Sequence, residues 1–311
     1  MVSVCCATYN HEKYLRKALD GVLEQQVNFR YEIIIGEDCS TDNSRKIIEE
    51  YHRRFPDIFN VIYHEKNVGA RKNFDMIVDR AQGKYTIVLE TDDCWIDKHK
   101  LQQQVDILEQ NPDVIAVAHN SEVIDDEGNK SKYKYPDCKR RIYSAILYRR
   151  WILPGQNTTL LYRNFYKDTS IIDDAKLRPI YEKGPGDRIK MYALASHGKI
   201  ICIQKKMSAY RYVTGGGSSF SATNKLKYRN YMEQYYLLLE YAKKEKLDKE
   251  YVFTARFMYF EAMMATYILE KGIDKEEFKQ RYKEIKNKPR CYINLLVHCV
   301  CRVWYNIRHI I

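Results

Sequence analysis

The first 125 residues alternate between two kinds of hydrophobic spacing. "VSVCCATYN" opens with apolar residues at consecutive positions, the signature of a buried strand. The next segment, "HEKYLRKALDGVLEQQ", puts Leu15, Ala18, Leu19, Val22 and Leu23 at i, i+3, i+4, i+7 and i+8, one stripe along a helix. "YEIIIGED" is a second strand, and "STDNSRKIIEEYHRRF" starts with capping residues before Ile47, Ile48, Tyr51 and Phe55 fall at helical spacing. "FNVIYHE", "GARKNFDMIVDRA", "YTIVLE" and "KHKLQQQVDILEQNP" continue the alternation, Asn-Pro ends the fourth helix, and "VIAVAHNSEVI" is a fifth strand. Strands alternating with helices of this length predict an α/β domain whose mostly parallel sheet carries helices on both faces.

The alternation stops near residue 130. Residues 131–186 are irregular and rich in Tyr, Arg and Lys, after which "RIKMYALASHGK" reads as a helix and "IICIQKKMSAYRY" as a strand. "TGGGSSFSATN" is the one long Gly/Ser stretch and is read as a loop closing the first domain. The expected division is therefore 1–220 and 221–311, the second part being a helical extension with helices near 224–246, 249–271, 274–287 and 290–311. The last of these places Ile293, Leu296, Val297, Val300, Val303, Trp304 and Ile307 on one face, with Asn294, His298, Arg302, Asn306 and His309 on the other.

Charge changes the picture of that extension. The chain of 311 residues carries a net +11, and nine Lys/Arg stand against three Glu from Lys275 to the end, a local excess of six. Lys283, Lys286, Lys288 and Arg290 precede an amphipathic helix with an interfacial Trp, a pattern that suits an anionic membrane surface through residues 283–311. The plainer reading is a helix buried on its own domain or in a homodimer. Nine cysteines lack any C-x-x-C pair, so no zinc spacing or disulfide framework emerges. With no signal-peptide pattern and no long uncharged apolar run, the expected location is cytoplasmic, peripheral on the inner face of the membrane.

The candidate chemistry begins at "YTIVLETDDCW", where an apolar strand ends on Glu90, Asp92 and Asp93 with no Lys or Arg before Lys98. Two carboxylates ~5 Å apart repel by roughly 3 kcal/mol at an effective dielectric near 20. Neither G-x-G-x-x-G nor G-x-x-x-x-G-K-[ST] occurs, so a phosphate ligand would be held through a metal, Mg²⁺ or Mn²⁺, on Asp92 and Asp93. The bland alternative is an acidic pair favoured by the dipole of the following helix.

Four segments in this order, "VSVCCATYNHEKYLRKALDGVL", "EIIIGEDCSTDNS", "NVGARKNFDMIVDRAQGKY" and "LETDDCWIDKHKLQQQVDIL", resemble the family 2 glycosyltransferases, and "PGDRIKMYALASHGKIICIQKKMSAYRY" and "GGGSS" extend the likeness. The resemblance implies the GT-A nucleotide-sugar fold and inverting transfer of a sugar from a UDP-sugar to a hydroxyl of a glycan or lipid-linked oligosaccharide in surface polysaccharide or capsule synthesis. It also implies roles. Thr8, Tyr9 and Asn10 would line the base and ribose pocket, Asp38 would accept a hydrogen bond from the base, and Arg71 would sit near base or diphosphate. Asp92 would face ribose and metal, Asp93 would ligate the metal, and Asp187 would be the catalytic base. Two positions depart from the pattern: Val213 stands where relatives often have His, leaving backbone amides or Ser218 and Ser219 as substitutes, and Arg188 replaces an aromatic, to meet an anionic acceptor or form a surface ion pair. Gln156 and Asn157 are candidates for sugar hydroxyls, and His119 is expected to be a packed wall residue.

Two other readings remain open at this level. A nucleotidyltransferase also uses paired carboxylates, but would carry a Gly/Arg/Lys-rich phosphate loop after the first strand. A non-catalytic nucleotide-binding module attached to membrane or nucleic acid would also be basic, since a basic tail suits either anionic surface, though nucleic acid is not the expected partner.

Overall fold

Strict alternation along the first strand separates the two faces of the sheet. In a computed structural model, which describes residues 1–135, 138–213 and 227–310 and side chains through residue 299, that strand is Val2–Thr8 (β1). Val2, Val4 and Cys6 pack with Leu15, Ala18, Leu19 and Val22 of Glu12–Leu23 (α1), while Cys5, facing the other way, packs with Ile34, Ile77 and Val78. Burying such side chains fully is worth about 1.5–3 kcal/mol each.

The chain continues as Tyr31–Glu37 (β2), Ser44–Arg54 (α2), Phe59–Tyr63 (β3), Ala70–Val78 (α3), Tyr85–Val88 (β4), Cys94–Trp95 (β5), Lys100–Gln110 (α4) and Val114–Ile124 (β6). Every element predicted up to this point is present; only the two-residue β5 is additional. The sheet order is β3-β2-β1-β4, then Leu161–Arg163 (β7), β6, Lys199–Arg211 (β8) and β5. β1 runs parallel to both β2 and β4, and β2 to β3, so the carboxyl ends of these strands share one edge. Beyond β4 the pairing turns mixed, because β7 is antiparallel to both neighbours and β5 is antiparallel to β8. β6 and β8 are parallel, with register irregularities around Asn120.

The segment read as irregular, 131–186, contains short elements: Ala145–Arg149 (α5), a 3₁₀ turn at Asn157–Thr159, β7, Asp174–Tyr181 (α6) and the start of Gly186–His197 (α7). Three to eight residues are too few to display a period, and α6 contains Pro179, which a propensity argument would place at a break.

Two compact units result. The first comprises Met1–Tyr143, Leu153–Asp174 and His197–Asn224, and holds the whole sheet. The second comprises Ser144–Ile152, Ala175–Ser196 and Lys225–Ile311, so it gathers two earlier stretches besides the region beyond 221. Aromatic contacts explain this: Tyr192 meets Tyr148 at 5.5 Å between centroids and Tyr251 at 5.8 Å. Its main helices are Tyr228–Lys244 (α8), Lys249–Ala265 (α9), Lys275–Glu284 (α10) and Lys288–Ile310 (α11), close to the predicted four. Asp248 and Asp274 cap α9 and α10 by accepting backbone N–H bonds. No helix among the described residues is long and apolar enough to cross a membrane.

Gly36 on β2 shows how closely α3 approaches the sheet. A Cβ there would lie 1.9 Å from Asn73 Oδ1, and Asn73 Nδ2 donates to Gly36 O at 2.9 Å. Gly36→Ala is expected to lower the melting temperature by roughly 2–8 °C, the effect of about 1–3 kcal/mol of overpacking, as read in a thermal melt.

Candidate functional site

The turns after β1 and β2 are stitched to each other. Asn10 adopts a left-handed conformation (φ 55°), one that Asn tolerates better than most residues. Its Oδ1 accepts the Thr41 N–H at 2.8 Å, while its own N–H donates to Ser40 Oγ at 3.1 Å. The N-terminus of each helix then borrows its cap from the other turn. His11 N–H donates to Ser44 Oγ and Glu12 N–H to Asp42 Oδ2, while Glu12 Oε2 accepts the Asn43 N–H. Orphan donors at two helix starts are thereby satisfied reciprocally.

Thr8 connects this pair of turns to the acidic one. Its hydroxyl shares a 3.2 Å hydrogen bond with Thr91 Oγ1, which also lies 2.7 Å from His11 Nδ1. Burial lowers the basicity of His11, and the nearby Asp92 and Asp42 carboxylates oppose that shift. Tyr9 is 36% exposed beside them. Asp38, in contrast, is buried, and both its carboxylate oxygens accept backbone N–H bonds from the β3–α3 loop: Val68 at 2.7 Å and Gly69 at 3.0 Å. Gly69 sits at φ 87°, ψ 150°, a region essentially confined to glycine. Arg71, in the first turn of α3, pairs with Asp75 on its own helix, Nε to Oδ2 at 3.0 Å.

The acidic turn is tight. Asp93 N–H donates to Glu90 O at 2.8 Å, and β5 begins immediately, zipped to β8 by Cys94 opposite Ala209. Asp93 is 1% exposed; its Oδ1 accepts the Arg211 N–H at 2.8 Å, and its Oδ2 has no partner among the described residues. Burial first, then the Asp92 and Glu90 carboxylates, push its carboxyl well above the ordinary range. Asp92 is half-buried.

A cation does stand here, Arg211 at the end of β8, but its hydrogen bonds go to carbonyls. Nε donates to Asp92 O at 2.9 Å and Nη1 to Asp125 O and Asp126 O, with the guanidinium 4.3 Å above the Tyr14 ring. Neither Arg211 nor His11 was among the expected site residues. The available signal was "YRYV", a cation closing a strand, and pairing across 118 residues gave it meaning.

The donor set fits a hard divalent ion. An orphaned, buried carboxylate oxygen next to a half-exposed carboxylate matches ions that take one or two carboxylates and fill the remaining positions with phosphate oxygens and water. Among the described residues no group of three His, Cys, Asp or Glu side chains converges to complete a cage alone.

The other expected residues are distributed as follows. Asn157 Nδ2 lies 3.4 Å from Glu90 Oε1, beside the acidic turn. Neighbouring Gln156 is buried, and neither amide atom has a partner among the described residues. His119 is fully buried and held neutral by burial and by Lys100, with Nδ1 2.8 Å from Asn120 O. Asp187 lies in the second unit, half-buried in the first turn of α7. Arg188 stacks 3.7 Å over the Trp151 ring and 5.2 Å from that of Tyr148, so aromatic faces are its setting. Ser218, Ser219 and the glycine run lie outside the described residues.

Asp93 makes a pH prediction with a definite sign. Its carboxyl is raised in the fold, so above about pH 4 the folded chain retains a proton that the unfolded chain has released. Stability of the metal-free chain should therefore fall as pH rises from there through the raised value. Asp93→Asn should flatten that slope and make the metal-free variant more stable than the parent near neutrality. Thermal melts across pH check this; identical slopes in both proteins would refute it.

Residues 3–172 match glycosyl transferase family 2. An uncharacterized protein of Mycobacterium tuberculosis is 33% identical over 215 residues, covering 68% of this chain and 58% of that protein, so the chain spans well under two thirds of this relative's length. An uncharacterized glycosyltransferase of Nostoc is 30% identical over 228 residues, 72% of this chain and 68% of that one. A Bacillus subtilis glycosyltransferase named for teichuronic acid biosynthesis is 36% identical over 108 residues, 35% of this chain and 42% of its own. Among solved structures, S. aureus TarS 1–349 in complex with UDP-GlcNAc superposes with a TM-score of 0.62 at 17% identity, over 86% of this chain and 73% of that one. That likeness shows the fold, the expected GT-A architecture. The matched region takes in the stitched turns, the Asp38 loop and the acidic turn, and on that match the chain belongs to glycosyl transferase family 2.

Proposed function

We propose that this chain is an inverting glycosyltransferase that moves a sugar from a UDP-sugar to a hydroxyl of a glycan or lipid-linked oligosaccharide. The observation that carries the reading is the orphaned Oδ2 of buried Asp93, beside Asp92 at the carboxyl end of β4, in a family 2 chain. In open α/β sheets that edge is where ligands lie. The UDP-GlcNAc held by the S. aureus neighbour favours a uridine donor, and the teichuronic acid name of the B. subtilis relative favours a surface polysaccharide as the product.

The proposed tasks divide among the residues as the family resemblance implies. Thr8, Tyr9 and Asn10 line the base and ribose. Asp38 keeps the Val68–Gly69 backbone in place and retains lone pairs with which to accept from the base, since each carboxylate oxygen has two. Arg71 stands at the start of α3, towards base or diphosphate. Asp92 and Asp93 hold Mn²⁺ or Mg²⁺, and the chemistry such an ion supplies is Lewis-acid stabilisation of a departing diphosphate. Asp187 accepts the proton of the acceptor hydroxyl as the new glycosidic bond forms, and one base acting opposite the leaving group gives inversion. The proposed place of work is the cytoplasmic face of the membrane.

Two measurements test this. UDP should raise the melting temperature in the presence of Mn²⁺ and much less in its absence, about 2.7 kcal/mol of stabilisation at a hundredfold excess over Kd. Asp93→Asn should erase the Mn²⁺-dependent part. Separately, Asp187→Asn should lower sugar transfer by about 10²–10⁴-fold while leaving the UDP shift intact. Undiminished transfer by both variants would overturn the assignment, and a UDP response without any sugar transfer by the parent chain would favour a non-catalytic nucleotide-binding module.

A further inference from the structure

Over its described side chains, the last helix, α11, turns Cys291 and His298 inward. At about 100° per residue, Cys291 and His298 lie on one side and Ile293, Leu296 and Val297 on the opposite one. Cys291 is 0% and His298 9% exposed, whereas Ile293 is 60%, Leu296 68% and Val297 38% exposed. Of the apolar stripe legible in the sequence, Ile293, Leu296 and Val297 therefore face out. Specific contacts set this rotation. His298 pairs with Glu261 of α9 and stacks on Trp151 at 6.1 Å between centroids, and Trp151 Nε1 donates to the same glutamate at 3.1 Å. Tyr292 meets Phe260 edge-on at 5.1 Å. Turning the helix to bury its aliphatic side would break the buried pairing and carry the Glu261 carboxylate into apolar surroundings.

An outward apolar stripe implies something that covers it. We propose that the Ile293, Leu296 and Val297 face of α11 seats on an anionic lipid leaflet, with Lys283 and Lys286 reaching the headgroups at its start. Both lysines are exposed, and among the described residues neither has a carboxylate at ion-pair distance, so their charge is available. Aliphatic side chains flanked by lysines suit a membrane interface, where the apolar side sinks only about 5–10 Å. A second protein copy fits less well, because interface cores favour aromatics and Arg and are depleted in Lys, and a stable contact needs about 800 Å² per partner. This face belongs to the second unit alone and does not depend on the transfer reading.

Vesicle flotation of the full chain, without donor, tests it. The chain should float with phosphatidylcholine vesicles containing phosphatidylglycerol and stay behind with phosphatidylcholine alone. Leu296→Ser combined with Val297→Ser should weaken binding about tenfold or more, and Lys283→Gln with Lys286→Gln by roughly tenfold, with high salt mimicking the lysine changes. All four side chains are solvent-facing, so unchanged melts would confirm that the variants fold. Absence of flotation by the parent chain, or flotation of the variants equal to it, would overturn the proposal. So would a dimeric chain that the Leu296/Val297 variant converts to monomer without any vesicle binding, since a second copy would then cover the face.

Discussion

Everything at the sheet edge is arranged around a carboxylate that the fold buries without a side-chain partner. Asp93 is buried after β4, the one hydrogen bond its carboxylate makes among the described residues comes from the Arg211 backbone, and the Arg211 guanidinium donates to three carbonyls. Had that guanidinium met the carboxylate directly, an internal ion pair would have neutralised the turn. As built, the backbone is held rigidly by arginine while the carboxylate charge is left to be matched from outside. Positioning and charge are thereby separated: Arg211 fixes the backbone and leaves Asp93 Oδ2 without a partner among the described residues.

The neighbouring turns follow the same logic. Asn10, Thr41, Glu12 and Asn43 satisfy one another across two loops, so the β1 and β2 ends keep a fixed distance without any glycine-rich cradle. Asp38 extends the brace to the third loop through two backbone amides. Thr91 carries it to the fourth by touching both Thr8 and His11. Four loops are thus linked by short polar bonds, with Tyr9 exposed beside them.

The second unit solves a different problem with aromatic faces. Tyr148, Trp151 and Tyr192 bind the short helix α5, the Asp187 turn and α9 into one body, with Arg188 laid on the rings. Polar anchoring then extends to α11, where His298 pairs with Glu261 while Ile293, Leu296 and Val297 stay exposed.

Periodicity and strand-end chemistry in the sequence alone determined the α/β architecture, strands β1–β4 and β6 with helices α1–α4, the four C-terminal helices and the acidic turn. These follow from local spacing, since a helix or strand of ten residues declares its period within its own length. Only the tertiary structure decided what lay far apart in the chain. It brought Arg211 to Asp93, made Asp38 a brace for the Val68–Gly69 loop, threaded the three-residue β7 between β4 and β6, and turned Cys291 and His298 of α11 inward. Each of these depends on a partner dozens of residues away, and no local pattern records which partner a hydrogen bond will find.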